Sequence, residues 1–462
     1  MKPITHYNRI NFMIKKYLLK TSLLLFVTFS FTAVSFSQEK KLSMGQKIKI
    51  KKKLNKGKIM IYGGDYRNAL FLMREVLSID NSNATANFRA SQCHLNLGKP
   101  SLGKKYAEKA LELDSNVNDE VYFVMGESHH RLGKLEEAKK YYSIFQSKST
   151  NATNEDYETA NRLKQCEIAK EMMENPVDVT IEKMGNEINT FNPEYSASIS
   201  GNGKVLVFTS RRVDSEGGEV DEMSDQLYFE DIYISMWNDT TEEWSKSRPV
   251  EGSVNTETHD AVLSISPDGK SLYVYRNEIG ETKSGDIYIS RKGKENKFGS
   301  AKPLDKGRNV NSSYFESSAS VTEDGNTIYF VSDRNGGKGL ADIYMSRKEG
   351  KEWGKAINLG DSINTTSDEK CVFIHPDGKL LYFTSEGHNS MGSYDIFVSR
   401  KINGRWSKAE NLGYPINTVK EEKTISITKD GRTAYVSASY KDSKGGSDIY
   451  KVDLSNLNLL AK

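Results

Sequence analysis

The chain changes its pattern of apolar and polar positions near Pro176. Before it, residues 45 to about 173 lack strand signals and read as paired helices, with apolar runs such as Val76-Leu77-Ser78-Ile79-Asp80 and Ala110-Leu111-Glu112-Leu113-Asp114. After it, short alternating segments predict strands: Val205-Leu206-Val207-Phe208, Leu272-Tyr273-Val274-Tyr275, Ile328-Tyr329-Phe330-Val331, Leu381-Tyr382-Phe383-Thr384 and Ala434-Tyr435-Val436-Ser437. Each follows a turn of the Asp-Gly or Asn-Gly kind, where glycine takes a positive φ without penalty.

The strand-rich part repeats. Asp231-Ile232-Tyr233, Asp286-Ile287-Tyr288, Asp342-Ile343-Tyr344, Asp395-Ile396-Phe397 and Asp448-Ile449-Tyr450 recur at intervals of 55, 56, 53 and 53 residues. A period near 50 with four strands per unit predicts a β-propeller over 177–454, with five blades, or six if one is degenerate. Four units continue through an aromatic turn at Trp244, Phe298, Trp353 or Trp406; the fifth lacks its outer strand after Asp453. Val177-Asp178-Val179-Thr180-Ile181-Glu182 alternates like that missing strand, and Glu187-Ile188-Asn189-Thr190 matches Ser362-Ile363-Asn364-Thr365 and Pro415-Ile416-Asn417-Thr418. Residues 177–184 are therefore expected to pair with the last blade and close the ring, removing its exposed edges.

The helical part, 45–175, has a shorter period. Gly64, Gly98 and Gly133 lie 34 and 35 residues apart, Asp80 and Asp114 lie 34 apart, and Ala69, Gly103 and Ala138 share one register. This spacing resembles the tetratricopeptide repeat, with units near 50–83, 84–118 and 119–152 and a capping helix around 156–174. Lys53 and Asn87 replace the usual aromatic of the first helix in two repeats. The resemblance places Phe88, Gln92, Leu95, Phe123, Glu127, His130 and Arg131 on the concave groove. There they either receive a peptide or helix or pack against the capping helix. His94 and His129 fall where the repeat buries an aromatic, so they read as core residues, not as metal ligands.

The first 37 residues read as an export signal. Lys15, Lys16 and Lys20 precede an apolar stretch from Leu23 to Val34, and Ser35 and Ser37 suit cleavage before Gln38. Met13 is an alternative start, and an uncleaved anchor is the other reading of the stretch. No later apolar run is long enough to span a bilayer. Lys+Arg 65 against Asp+Glu 62 gives a net charge of +3, with no basic stripe to suggest nucleic acid. The run from Lys47 to Lys58 reads as a solvated helix face. Cys93, Cys166 and Cys371 are too sparse for a disulfide framework.

No catalytic signature appears. Gly-x-Ser-x-Gly and Gly-x-x-x-x-Gly-Lys-Ser/Thr are absent, and His259, His375 and His388 are scattered, so no enzyme activity, metal or cofactor is expected. The five repeated aspartates read as turn-holding residues, because a functional site usually breaks a repeat. The irregular loops remain as candidates: the acidic insertion between Arg212 and Glu230, and Asp333, Arg334, Asn335 and Lys338 of the third unit.

The turn-plus-strand phrase resembles the WD40-like repeats of TolB-like propellers over about 188–454. Helical and propeller repeats in this order look like periplasmic Bacteroidetes proteins that continue into an OmpA-like domain, some linked to gliding or type IX secretion. The sequence departs from that pattern by ending at Lys462. The resemblance implies a periplasmic scaffold that reaches the outer membrane through a partner. Its expected partners are envelope proteins, bound in the helical groove or on the propeller face. A glycan- or peptide-binding propeller opening is the alternative.

Overall fold

The structure is a computed structural model that describes residues 42–218, 220–221, 226–277, 285–305, 307–444, 446–457 and 459–460. The leader lies outside the described residues. The chain divides into two compact units, Met1–Lys51 and Lys52–Lys462. Within the first unit the described residues from Met44 onward are helical. The second holds both repeat architectures.

Helices α1 (Met44–Tyr62), α2 (Tyr66–Ile79), α3 (Ala84–Asn96), α4 (Pro100–Leu113), α5 (Glu120–Arg131) and α6 (Leu135–Lys148) follow in order, α3 packing on α4 and α5 on α6. The short α7 (Asn151–Asp156) and the longer α8 (Thr159–Glu174) follow, and α8 packs on α6. Gly64, Gly98 and Gly133 have φ of 79°, 69° and 71°, the left-handed cap that ends each first helix. Asp65 and Asn83 then cap α2 and α3 with their side chains. Ala69, Gly103 and Ala138 are buried where paired helices approach, and a Cβ on Gly103 would meet the Ser91 carbonyl oxygen at 3.3 Å. His94 stacks on Tyr106 and His129 on Tyr141, both buried, as core residues do.

Five antiparallel sheets follow, not six. They are β2 (Glu194–Ile199), β3 (Val205–Ser210) and β4 (Asp231–Asn238), with the short β5 (Glu243–Trp244) and β6 (Arg248–Pro249); β7 (Ala261–Ile265), β8 (Ser271–Arg276), β9 (Asp286–Arg291) and β10 (Lys302–Pro303); β11 (Glu316–Val321), β12 (Thr327–Ser332) and β13 (Asp342–Glu349), with β14 (Glu352–Trp353) and β15 (Ile357–Asn358); β16 (Glu369–Ile374), β17 (Leu380–Ser385) and β18 (Asp395–Ile402), with β19 (Arg405–Trp406) and β20 (Glu410–Asn411); and β21 (Glu422–Ile427), β22 (Thr433–Ala438) and β23 (Asp448–Asp453). The inner strands β2, β7, β11, β16 and β21 neighbour one another in turn, and β21 returns to β2. The ring is closed by β1 (Thr180–Lys183), which pairs antiparallel with β23 in the register Thr180 with Asp453 to Lys183 with Tyr450. Val177, Val179 and Ile181 pack against the apolar core between the fourth and fifth blades.

One asparagine per blade junction explains the second repeated phrase. Asn255, Asn311, Asn364 and Asn417 each bracket the isoleucine of the preceding Asp-Ile-Tyr/Phe strand, accepting its N–H and donating to its carbonyl. Asn189, which precedes the first blade, does the same to Ile449 of the fifth at 2.8 Å in both directions. The circle is thus sealed by a side-chain clamp as well as by β1.

Candidate functional site

The residue after each clamp is a hydroxyl that donates to a buried acid opening the next inner strand. Thr190 serves Glu194, Thr256 serves Asp260, Ser312 serves Glu316, Thr365 serves Glu369 and Thr418 serves Glu422, at 2.7–2.8 Å. All five acids are fully buried. In the first three blades a guanidinium neutralises them: Arg212 on Glu194 at 3.1 Å, Arg276 on Asp260 at 3.0 Å and Arg334 on Glu316 at 3.0 Å. Glu369 and Glu422 have no such cation among the described residues. Burial pushes Glu369 up to about 7 against its hydrogen bonds from Ser385 and Thr365. Burial, with Asp395 nearby, holds Glu422 well above the carboxylate range. Burial likewise pushes Asp231 and Asp395 of the repeated phrase up to about 7.

A pH dependence follows. A carboxyl whose pKa is raised by folding keeps its proton between the ordinary value and about 7, while the unfolded chain loses it. Stability therefore falls as pH rises through that window. The thermal midpoint is expected to be higher at pH 5.5 than at pH 8, and Glu369→Gln should reduce the difference; equal midpoints at both pH values would contradict the assignment.

Beyond the acids, the inner strands share a second feature. Each has a register irregularity just after its acid, at Tyr195/Ser198, Val262/Ser264, Glu316/Ser318, Glu369/Cys371 and Glu422/Thr424. Bulges re-aim side chains, and here all five strands turn residues into a central cavity of about 610 Å³. The residues directly after the acids, Tyr195, Ala261, Ser317, Lys370 and Lys423, all line it. Tyr275 and Phe315, ring centroids 5.6 Å apart, form an aromatic wall beside Leu263 and Leu340. Lys423 Nζ lies 5.2 Å from the Tyr195 ring centroid and Lys370 Nζ 4.6 Å from that of Tyr394. Tyr394 donates to Asp368 at 2.6 Å, and Tyr195 donates to Glu230. Glu230 sits 3.3 Å from His259 Nδ1; this contact raises the His259 pKa, with Asp221 on the other ring nitrogen.

The helical groove has a different fate. Glu127 accepts from Arg131 Nε and from the Tyr142 hydroxyl, each at 2.7 Å. Burial pushes its pKa up, but Arg131, Arg162, His130 and the Tyr142 hydrogen bond outweigh it and hold the carboxyl well below its usual range. Tyr142 reaches Glu127 because residue 126 is glycine; a Cβ there would lie 2.6 Å from the ring. Phe123 packs among Tyr142, Phe145 and Tyr157. His130 Nε2 is 3.0 Å from the Met391 carbonyl of the fourth blade. Met391 shares one apolar cluster with Tyr142 of α6 and with Cys166 and Ala169 of α8.

Residues 84–117 and 119–143 match the family model of the tetratricopeptide repeat. The chain joins tetratricopeptide repeats to a five-bladed β-propeller. It is similar to the TPR repeat-containing protein MJ1428 of Methanocaldococcus jannaschii, 25% identical over 248 residues that make up 48% of this chain and 38% of that one. Among solved structures it is similar to TolB from Acinetobacter baumannii, at 18% identity, TM-score 0.34, and 57% and 54% of the two chains. The helical part is similar to the Yersinia enterocolitica type III secretion chaperone SycD, solved with a peptide of the translocator YopD, at 14% identity, TM-score 0.24, and 26% and 94% of the two chains. The chain spans about two fifths of MJ1428 and about half of TolB.

The seven groove residues are brought together in adjacent tetratricopeptide helices. In the third repeat Phe123, Glu127 and His130 meet the chain's own α6, α8 and fourth blade. Gln92 donates to Glu120 at 3.0 Å, while Phe88 and Leu95 are buried in the helical core. In the propeller loop, Arg334 turns inward over Phe330 and Tyr344 and repeats the role of Arg212. Asp333 reaches the central cavity and accepts from Phe315 N at 2.7 Å. Asn335 contacts the Tyr314 hydroxyl, and Lys338 pairs with Asp361 on the exterior. The first-blade insertion contributes Asp214, which accepts from the Tyr233 hydroxyl at 2.7 Å. Sequence reasoning missed Tyr195, Lys370 and Lys423, although their place directly after a recurring acid was a usable signal.

Proposed function

We propose that this protein is a non-catalytic interaction scaffold of the bacterial cell envelope, exported by its leader and serving gliding or type IX secretion. The observation that carries it is the docking of the third tetratricopeptide repeat on the fourth blade through His130 and Met391. That contact braces a solenoid and a propeller into one platform and leaves the propeller mouth for recognition. The motifs of the leader support the location, and the absence of a nucleophile elbow or phosphate loop from the sequence supports a binding role.

The test is a photo-crosslinking residue at Leu340, which lines the mouth and is 73% exposed, installed in the full chain in living cells. A discrete adduct with an envelope protein is expected there and not from another exposed position such as Phe71 on α2, 63% exposed. The same diffuse, abundant proteins captured from both positions would contradict the reading.

A second reading is favoured by the cavity itself: the mouth holds a short glycan or peptide, since its volume and mixed aromatic and polar wall suit a small ligand.

A further inference from the structure

Resting on that second reading, we infer that the mouth selects a ligand carrying a carboxylate, received by Lys423 and laid against the Tyr275–Phe315 wall. Every inner strand has a register irregularity within four residues of its buried acid, directly after it in the last three blades, whereas the side chains that follow the acid do not repeat: Tyr195, Ala261, Ser317, Lys370 and Lys423. Side chains that depart from a repeat whose backbone is kept are freed from the demands of the fold and available for recognition.

The charges at the mouth are not equally available. Asp368 is engaged by Tyr394, Glu230 by Tyr195 and His259, Asp333 by the Phe315 N–H, and Glu369, without a cation among the described residues, by the Thr365 and Ser385 hydroxyls. Lys370 is paired with Glu421 at 2.9 Å. Lys423 forms no hydrogen bond or close ion pair among the described residues; its charge acts on Glu421, which Lys370 already holds, and its ammonium rests on the Tyr195 ring with its donors unspent. An incoming carboxylate meets those donors, and a charge-assisted hydrogen bond in a partly enclosed site is among the stronger polar contacts. An incoming cation would instead meet Lys423 beside carboxylates already satisfied.

The opposite wall sets the rest of the ligand. A Cβ on Gly285 would fall within 2.2–2.4 Å of the Tyr275 ring, so this glycine is what permits the ring its place in the wall. Tyr275 and Phe315, their rings tilted 60° to each other, offer an apolar face with Leu263 and Leu340. The cavity of about 610 Å³ admits two or so linked units. Both a uronate-bearing disaccharide and the carboxyl end of a short peptide present a carboxylate next to such a face.

The experiment is calorimetric titration of the mature chain with four probes: digalacturonic acid, its methyl ester, glycyl-phenylalanine and glycyl-phenylalanine amide. One acid is expected to bind with a Kd below about 1 mM, and its uncharged counterpart about tenfold more weakly. Which acid binds identifies the source. Lys423→Met should erase the preference without moving the thermal midpoint, and Lys423→Arg should keep it. Uncharged and charged forms binding alike, or a preference that survives Lys423→Met, would overturn the inference and leave the mouth as a ligand site. Failure of all four to bind would sink both the inference and that second reading.

Discussion

Replacing Val179 and Ile181 together by aspartate is expected to abolish the cooperative unfolding transition of the propeller, or to lower its midpoint by more than 10 °C, on the order of 4 kcal/mol or more. Both side chains pack against the apolar core between the fourth and fifth blades, where burying an ionised carboxylate is costly. Losing β1 also leaves the outer edge of β23 unpaired over four residues, Tyr450 to Asp453. An open strand edge invites pairing with another chain, so soluble aggregates should appear on size exclusion. Glu182→Gln, on the exposed face of the same strand, should stay within about 0.5 kcal/mol of the parent. A double variant that melts like the parent would show that the ring closes by other means.

Glu127→Ala should destabilise the helical part by about 3–5 kcal/mol, the usual result of removing one partner of a buried ion pair. Two groups lose their acceptor at once, Arg131 and the Tyr142 hydroxyl, and Arg162, 4.0 Å away, loses its ion-pair partner. The effect should reach the propeller, because Tyr142 belongs to the cluster that holds Met391. Limited proteolysis near 175–179 should therefore accelerate in this variant. Glu127→Gln keeps an acceptor for Tyr142 and should lose less. A Glu127→Ala protein with unchanged melting and unchanged proteolysis would refute the bracing role of this network.

The repeats were the legible part of the chain, for a physical reason. A backbone geometry used five times needs the same turn, clamp and strand each time, and so leaves the same letters. The closure by 177–184 could be inferred because one blade's missing strand was written before the first blade. The groove was legible only in part. The tetratricopeptide register points to Phe123, Glu127 and His130 as one set on α5, but whether they meet a foreign peptide or the chain itself depends on Met391, 261 residues away from His130. Such docking carries no local period. The acid ring was written in the sequence all along: Glu194, Asp260, Glu316, Glu369 and Glu422 recur once per blade. It was overshadowed by the more conspicuous Asp-Ile-Tyr phrase, whose aspartates hold turns, as Asp342 does by accepting from Lys338 and Gly339 N–H groups. Arg334 drew attention as a loop residue because its equivalents differ: Arg212 occupies its position in the first blade, Gly387 and Tyr440 in the fourth and fifth. Only the structure shows that it serves Glu316. The mouth residues stayed hidden because only their place after each acid repeats, while their side chains differ from blade to blade.

Chain from before the first blade closes the ring, and an engineered disulfide measures this directly. Thr180 and Asp453 are facing partners in the β1–β23 ladder. Changed together to cysteine, they are close enough to bridge without backbone movement, and the native Cys93, Cys166 and Cys371 are buried. Mild oxidation of the folded Thr180→Cys, Asp453→Cys protein should give an intramolecular disulfide between these two positions, identified by peptide mass mapping. Two thiols that remain separately alkylated in the folded, oxidised protein would contradict the closed five-bladed ring.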